Sequence, residues 1–216
     1  FNGRIVKFDK EAITQLGTYA HILLDGISIG WIDKQALIVQ EVHGLEVNNQ
    51  FVPYPNKNDF NFVNMGRLSP EKGQDNLIRA FASFHEKHKN SKLYILGQGP
   101  LKEDLQAIID ELDLNHSIHL LGQLENPFSF MEKCDCFVLS SHYEGQPMVL
   151  LEAMTLGMKI MATDIVANRT VLENGKYGLL VENSINGLEK GLSTVVSNDN
   201  SKLEKFDYHH MNWQCF

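Results

Sequence analysis

From residue 60 onward, short apolar runs alternate with amphipathic stretches, and this alternation constrains the fold more than any other feature. The first apolar run precedes Leu77, Ile78, Phe81 and Phe84, which recur at helical spacing. The same pattern repeats and predicts strands at 60–67, 92–96, 117–121, 136–140, 159–163 and 178–181. Strict alternation of apolar strands with helices predicts a Rossmann-like α/β domain, a parallel sheet with helices on both faces.

The helices between these strands have recognisable ends. Ser69-Pro70 is typical of an N-cap and a first-turn proline, so the first helix is predicted to begin there. Further helices are predicted at 101–112, 128–134, 148–156 and 185–196. In such a domain the ligand is expected beyond the carboxyl ends of the strands.

The residues before this domain have a different character. Residues 1–42 contain short strand-like runs at 4–9, 19–25, 27–33 and 36–39, which predict a small β module. The stretch 17–33, with its Gly30-Trp31 dipeptide, resembles the SH3-like repeats called GW modules. Residues 43–59 lack periodicity and are predicted to be a linker, before a domain over 60–200 and a truncated tail over 201–216.

Composition excludes several classes of function. The 216 residues carry a formal net charge of −8, which argues against a nucleic-acid surface. No apolar run reaches the roughly 18 residues of a membrane span, and no leader peptide precedes the fold, so we expect a cytoplasmic protein. The chain begins at Phe1 rather than Met, and we expect it to be a piece of a longer protein.

Cysteine usage fits a reducing compartment. Cys134, Cys136 and Cys215 are odd in number, and the Cys-x-Cys spacing matches neither zinc ribbons nor redox motifs. We expect free thiols.

The first candidate site is the turn Gly66-Arg-Leu-Ser-Pro-Glu-Lys-Gly73, where the first strand ends. Arg67 and Lys72 flank this turn beside a predicted helix N-terminus. Guanidinium, ammonium and exposed backbone N–H groups together suit a diphosphate. The alternative is that both cations are solvated surface charges.

The second candidate site is the stretch Glu144-Gly-Gln-Pro-Met-Val-Leu-Leu-Glu152. Glu144 is predicted in the loop after the fourth strand, and Glu152 about one and a half turns into the next helix. A carboxylate among apolar residues needs hydrogen-bond donors, and sugar or ribose hydroxyls are suitable. The alternatives are a solvent-facing stripe for Glu152 and an ordinary loop acid for Glu144.

Histidines give no convincing metal site. His85 and His88 are interpreted as part of a solvated, lysine-rich helix end, and no pair has a third ligand at useful spacing. The other candidates are His116 with His119, and His209 with His210. No Asp-x-Asp lies on the ligand side either, so we expect no metal and no cofactor.

These motifs together resemble the family 4 retaining glycosyltransferases of GT-B fold, over roughly residues 60–198. The stretch Glu152-Ala-Met-Thr-Leu-Gly-Met-Lys-Ile-Met-Ala-Thr163 is similar to the family's helix and following strand, and Gly178-Leu-Leu-Val181 to its late strand. Two departures are Gln146, where a bulky apolar residue is common, and Lys159, where proline is common. The first leaves the donor sugar open.

The resemblance implies a nucleotide-diphosphate-sugar donor as substrate. Arg67 and Lys72 would neutralise its diphosphate, Glu144 would contact sugar hydroxyls, and Glu152 would hold the ribose. Backbone N–H groups around residues 146–148 would approach the sugar and the phosphate. Gln123 and Leu124 would border the base. The remaining donor-binding candidates are Gly66, Gln123, Leu124, Gly145, Gln146, Pro147 and Met148.

The resemblance also implies partners. A glycan or teichoic-acid-like acceptor would be bound mainly by a second domain outside these residues, so the fragment alone would transfer nothing. The parent protein would work at the inner face of the membrane. Two other functions stay open: a non-catalytic cell-wall or nucleotide binding module, and an oxidoreductase, which lacks its Gly-x-Gly-x-x-Gly turn here.

Overall fold

The computed structural model describes the backbone of residues 7–14, 17–24, 27–33, 44–47, 50–124 and 126–197, and the side chains of 54–124 and 126–197. The chain divides into two compact units, Phe1–His43 and Gly44–Phe216.

The described part of the first unit is a three-stranded antiparallel sheet. Its strands are β1 (Lys7–Thr14), β2 (Gly17–Leu24) and β3 (Ile27–Asp33), in the order β1-β2-β3. The prediction for β3 coincides with the observed strand, whereas β1 begins and ends later than the predicted run at 4–9. The run predicted at 36–39 lies outside the described residues.

The second unit begins with a β-hairpin where the sequence predicts a linker. β4 (Gly44–Val47) pairs antiparallel with β5 (Gln50–Pro53), and Leu45 lies opposite Val52. The Gly, Asn and Pro residues of 43–59 are typical of loops, which explains the difference.

Six parallel strands form the sheet of the second unit, which confirms the Rossmann-like α/β prediction. They are β6 (Phe60–Met65), β7 (Ser91–Leu96), β8 (Ile118–Gly122), β9 (Cys136–Leu139), β10 (Lys159–Thr163) and β11 (Leu179–Val181). Their spatial order is β11-β10-β9-β6-β7-β8, so the order reverses between β6 and β9. At such a reversal the two outgoing loops separate and leave a crevice for ligands.

Helices cover both faces of the sheet. Successive strand residues alternate between two apolar cores, as Phe62 and Val63 do. Residues of α1, α2 and α6 line one core, and those of α3, α4 and α5 line the other. The helices are α1 (Gln74–His85), α2 (Lys102–Glu111), α3 (Pro127–Met131), α4 (Met148–Thr155), α5 (Val166–Val171) and α6 (Ile185–Val196).

The first helix starts later than predicted. Pro70–Lys72 forms a single 3-10 turn after Ser69, and the chain then passes through Gly73 before α1 begins at Gln74. The Ser69 hydroxyl donates to the Glu71 carboxylate at 2.6 Å and caps no helix. The sequence signal therefore marked a turn at the site rather than the helix start. The short helix α5 was not predicted at all.

Candidate functional site

The loops after β6 and β9 are joined where the strand order reverses. The His142 backbone N–H donates to the Glu71 carbonyl at 2.8 Å, and the Ser140 hydroxyl donates to the Lys72 carbonyl at 2.9 Å. Ser140 is fully buried. The basic turn is therefore fixed to the loop that carries Glu144.

Gly73 makes this junction possible. Its φ is +60°, in the left-handed region, and a Cβ there would lie 2.5 Å from the Ser140 carbonyl oxygen. The same Cβ would also lie 3.1 Å from the His142 ring. Any side chain would push the two loops apart, so a glycine is required directly after Lys72.

The junction brings Lys72 and Glu144 together. The Lys72 ammonium contacts both carboxylate oxygens of Glu144, Oε1 at 2.7 Å and Oε2 at 2.9 Å. The Lys72 side chain is 23% exposed and that of Glu144 is 8% exposed. Two residues that are 72 positions apart in sequence thus form one half-buried ion pair, and the cation is its more accessible member.

A second layer of polar groups lies behind Glu144. The Ser141 hydroxyl donates to Glu144 Oε1 at 2.6 Å, and the Thr163 hydroxyl donates to the Ser141 carbonyl at 2.5 Å. Asn168, on α5, donates to the Thr163 carbonyl at 2.9 Å. These residues were not among the candidates predicted from the sequence. The available signal was a hydroxyl side chain at the end of one apolar strand, β10, and another just beyond β9.

Arg67 adds a second cation at the mouth of the crevice. It is exposed, and no described side chain pairs with its guanidinium. Glu71 lies in the same turn, and its pKa is lowered by the Ser69 hydroxyl, its own backbone N–H and the nearby cations Lys72 and Arg67. The turn therefore combines a free guanidinium with the paired ammonium of Lys72.

The loop before α4 offers backbone donors. Gly145 and Gln146 are exposed, and no described backbone acceptor pairs with either N–H. The Met148 N–H instead donates to the Gln146 carbonyl at 2.9 Å, so this donor is already used within the loop. Pro147 is buried, whereas the Met148 side chain is 51% exposed.

Glu152 lies one turn into α4. Its side chain is half-buried, and no side chain in the described part of the protein bonds to its carboxylate. The Glu152 side chain is therefore neither fully buried nor on a fully solvated face of the helix. A half-buried carboxylate without a partner retains its full capacity to accept hydrogen bonds.

The remaining candidates lie at the same edge of the sheet. The Gly66 N–H donates to the Leu96 carbonyl at 3.0 Å, directly after β6. Gln123 is exposed after β8, and Leu124 is half-buried against the apolar core. The fold therefore places the predicted loop residues after the carboxyl ends of the strands, with Glu152 in the helix that follows one of these loops. The Lys72–Glu144 pair is the direct side-chain contact that the structure describes among them.

The histidine interpretation needs correction. His85 is buried rather than solvated, and its ring nitrogens lie 2.9 Å from the Ser91 hydroxyl and 3.1 Å from the Ser117 hydroxyl. Burial, then Lys89 and Lys92, lower its pKa. His209 and His210 lie outside the described residues, within which no cluster of three His, Cys, Asp or Glu side chains could hold a metal ion.

Two of the three cysteines can be located. Cys134 and Cys136 are free thiols, and burial raises the pKa of both. Cys215 lies outside the described residues. Within the part of the chain that the structure covers, no helix is long and apolar enough to cross a membrane.

Comparison with known protein families assigns this α/β domain to one of them. The family model for glycosyl transferases group 1 matches residues 47–212, and the chain belongs to this family. A second model, that of the GW (Gly-Tryp) dipeptide domain, matches residues 1–38.

Individual relatives agree with this assignment. An uncharacterized glycosyltransferase of Methanocaldococcus jannaschii is 46% identical over 133 residues, 62% of this chain and 32% of the relative. The N-acetylgalactosamine-N,N'-diacetylbacillosaminyl-diphospho-undecaprenol 4-alpha-N-acetylgalactosaminyltransferase of Campylobacter jejuni is 37% identical over 145 residues, 66% of this chain and 38% of the relative. The chain thus spans about a third of the length of these relatives.

A solved structure extends the similarity to the fold. A mutant of S. aureus TarM, crystallised in complex with Fondaparinux, alpha-GlcNAc-glycerol and UDP, superimposes with a TM-score of 0.62 at 27% identity. The match covers 73% of this chain and 32% of TarM.

Proposed function

We propose that residues 60–200 are the donor-binding half of a retaining glycosyltransferase that moves a sugar from a nucleotide diphosphate sugar to an acceptor hydroxyl. The observation that carries this proposal is the Lys72–Glu144 ion pair at the reversal of strand order. Arg67, whose guanidinium has no partner among the described side chains, lies in the same turn as Lys72. Cation and carboxylate at one crevice suit a ligand with a diphosphate at one end and hydroxyls next to it.

The two cations bind the diphosphate in this proposal. Arg67 is free to reach a phosphate oxygen, and the accessible Lys72 ammonium can exchange contact with Glu144 for contact with the ligand. The N–H groups of Gly145 and Gln146, which have no acceptor among the described residues, supply further donors next to the α4 N-terminus. Fixed positive charge at this place stabilises the leaving diphosphate as its charge develops.

The carboxylates bind hydroxyls. Glu144 accepts from the donor sugar, and Glu152, which lacks a partner among the described residues, accepts from the ribose. Gln123 and Leu124 border the base at the end of β8. Uracil is the first base to test, because the similar TarM structure contains UDP.

The reaction can be written with all bonds balanced. The bond between the anomeric carbon and the diphosphate oxygen breaks, and its electron pair stays on the diphosphate. The acceptor oxygen bonds to the same face of the anomeric carbon, and the hydroxyl proton is taken up by the released diphosphate. Lys72 and Arg67 bind the group whose negative charge increases.

The acceptor and the cellular location are properties of the whole protein. We propose a bacterial cell-surface glycan or a teichoic acid as acceptor, bound mainly by a second domain outside these residues, with the parent enzyme at the inner face of the membrane. The C. jejuni relative, whose name specifies a diphospho-undecaprenol-linked acceptor, supports an acceptor of this kind.

Calorimetric titration of the folded chain with UDP, GDP and ADP tests the proposal. We expect saturable heat with one of these nucleotides, and no sugar transfer by the 216-residue chain alone. A folded sample that gives no saturable heat with any of the three would overturn the function proposed here.

A second function concerns the first unit. We propose that residues 1–42 form an SH3-like module that binds a cell-wall polymer, because residues 1–38 match the GW dipeptide domain. A pull-down of the chain with immobilised teichoic acid and with peptidoglycan is expected to retain it. Passage through both matrices would refute this binding.

A further inference from the structure

We infer that Ser141, Thr163 and Asn168 form a buried hydrogen-bond chain that positions the Glu144 carboxylate for the donor sugar. This inference rests on the proposed function, in which Glu144 accepts from sugar hydroxyls. The three residues are positioning residues, because they reach the ligand only through Glu144.

The direction of every hydrogen bond in this chain is fixed by chemistry. An ionised carboxylate can only accept, so the Ser141 hydroxyl donates to Glu144 Oε1 at 2.6 Å. A carbonyl also only accepts, so Thr163 donates to Ser141 at 2.5 Å. The Asn168 amide nitrogen in turn donates to the Thr163 carbonyl at 2.9 Å and to its hydroxyl oxygen at 3.3 Å. All donors thus point from α5 towards the acid.

Burial makes this arrangement specific. Ser141, Thr163 and Asn168 are each 0% exposed. Bulk water therefore cannot replace a hydroxyl that is removed, and an unpaired buried group is costly. The chain ties the end of β10 and helix α5 to the loop that carries Glu144.

The carboxylate itself shows where a ligand can bind. Glu144 Oε1 accepts from Lys72 at 2.7 Å and from Ser141, while Oε2 accepts only from Lys72, at 2.9 Å, among the described residues. A carboxylate has about four acceptor positions, so three are used and one on Oε2 remains. Because Ser141 holds Oε1, the carboxylate keeps one fixed contact when Lys72 moves to the diphosphate, and the remaining position on Oε2 is the one we assign to a sugar hydroxyl.

A hydrogen-bond chain that only stabilised the fold would respond differently to substitution. In that case, loss of the Ser141 hydroxyl would lower the free energy of unfolding and leave Glu144 in place. It would also weaken UDP and a UDP-sugar equally, since both share the nucleotide. The positioning function instead predicts a selective loss of affinity for the sugar-bearing ligand.

The first test needs no ligand. We expect a crystal structure of the Ser141→Ala chain to show the Glu144 carboxylate turned away from its bidentate contact with Lys72 or split between two rotamers. Thr163→Val is expected to loosen the same carboxylate, and Thr163→Ser, which keeps the hydroxyl, to restore it. An unchanged Glu144 in Ser141→Ala would overturn the inference.

The second test measures affinity of the whole chain by calorimetry, with UDP and UDP-N-acetylglucosamine as probes. Ser141→Ala is expected to weaken the sugar nucleotide about tenfold and UDP no more than about twofold, the size of one charge-assisted hydrogen bond. In a Glu144→Gln background the same substitution should add almost nothing, because its effect passes through Glu144. If Ser141→Ala and Glu144→Gln lowered the affinity independently, so that their fold losses multiplied, the inference would be contradicted.

Ser117→Ala is the matched control, because it removes a buried serine hydroxyl at the other edge of the sheet, where it bonds to His85. It should leave both affinities unchanged. If wild-type protein binds neither probe, the proposed donor site fails, and the crystal structures still decide whether the chain positions Glu144.

Discussion

The two edges of the parallel sheet both bury polar side chains, and they differ in whether the hydrogen-bonding groups are used up. At the amino edge, Ser91 donates to the His88 carbonyl at 2.6 Å, so its oxygen accepts from His85 Nδ1–H. The other His85 nitrogen then accepts from Ser117. This cluster is complete by itself and holds α1 to the starts of β7 and β8.

At the carboxyl edge, some hydrogen-bond acceptors have no partner among the described residues. Three of the four buried side-chain oxygens without a partner among the described residues belong to Asn64, Gln74 and Asn168, at or just beyond the ends of strands. The fourth belongs to Asn61, near the start of β6. Glu152 also lacks a partner within the described residues. The cluster around His85 therefore uses its donors and acceptors within the fold, whereas the half-buried carboxylate of Glu152 at the other edge keeps acceptor capacity.

The largest change in ligand affinity is expected from removing a cation at each edge. Lys72→Met should weaken UDP about thirtyfold, because a charge-assisted hydrogen bond contributes roughly 2 kcal/mol. Lys92→Met removes an ammonium that donates to the His116 carbonyl at the amino edge, and should leave UDP affinity unchanged. Calorimetry on both variants checks this. Equal losses of UDP affinity in the two variants would mean that the two edges do not differ in ligand binding.

Two glycines with left-handed backbones give the next effect. Gly73 and Gly157 have φ values of +60° and +67°, but only Gly73 among the two has atoms within 4 Å of an added Cβ. Gly157→Ala should cost only the backbone strain, about 1 kcal/mol. Gly73→Ala should cost roughly 2 kcal/mol more, since it also forces the loops apart. Urea unfolding measures both, and similar costs would refute the close approach.

The smallest effect concerns a histidine of β8. Burial, then Lys92 and His116, lower the pKa of His119 from 6.5 to about 4, and its ring stacks on Tyr94 at 5.4 Å. The unfolded state therefore binds more protons below pH 6.5, and stability falls as pH falls from there towards 4. Between pH 7 and 5 the loss should be on the order of 1 kcal/mol.

A His119→Gln variant should flatten this decline and leave UDP affinity unchanged. Urea unfolding at several pH values, with calorimetry as the second readout, checks both expectations. A variant whose stability declines as steeply as that of the wild type would show that His119 does not cause the loss.

The sequence indicated charged candidates more readily than the contacts between them. Arg67, Lys72 and Glu144 stood out as charged residues after predicted strands, and Glu152 as a carboxylate within an apolar helix. Ser141, Thr163 and Asn168 were not, since hydroxyls and amides are common in loops. Their function depends on contacts between elements far apart in the chain.

Local patterns in the sequence predicted the alternation of strands and helices, and hence the parallel sheet, because apolar periodicity is a local property. They missed β4 and β5, which lie among Gly, Asn and Pro residues typical of loops. They also missed α5, whose N-cap residue, Ile165, gives no capping signal. The tertiary structure was needed to show that Lys72 meets Glu144, that His85 is buried, and that Gly73 rather than Ser69-Pro70 precedes α1. The Lys72–Glu144 contact and the close approach at Gly73 depend on the reversal of strand order between β6 and β9, which brings two distant loops together and which no local pattern encodes. The burial of His85 depends on its contacts with Ser91 and Ser117, at the starts of β7 and β8.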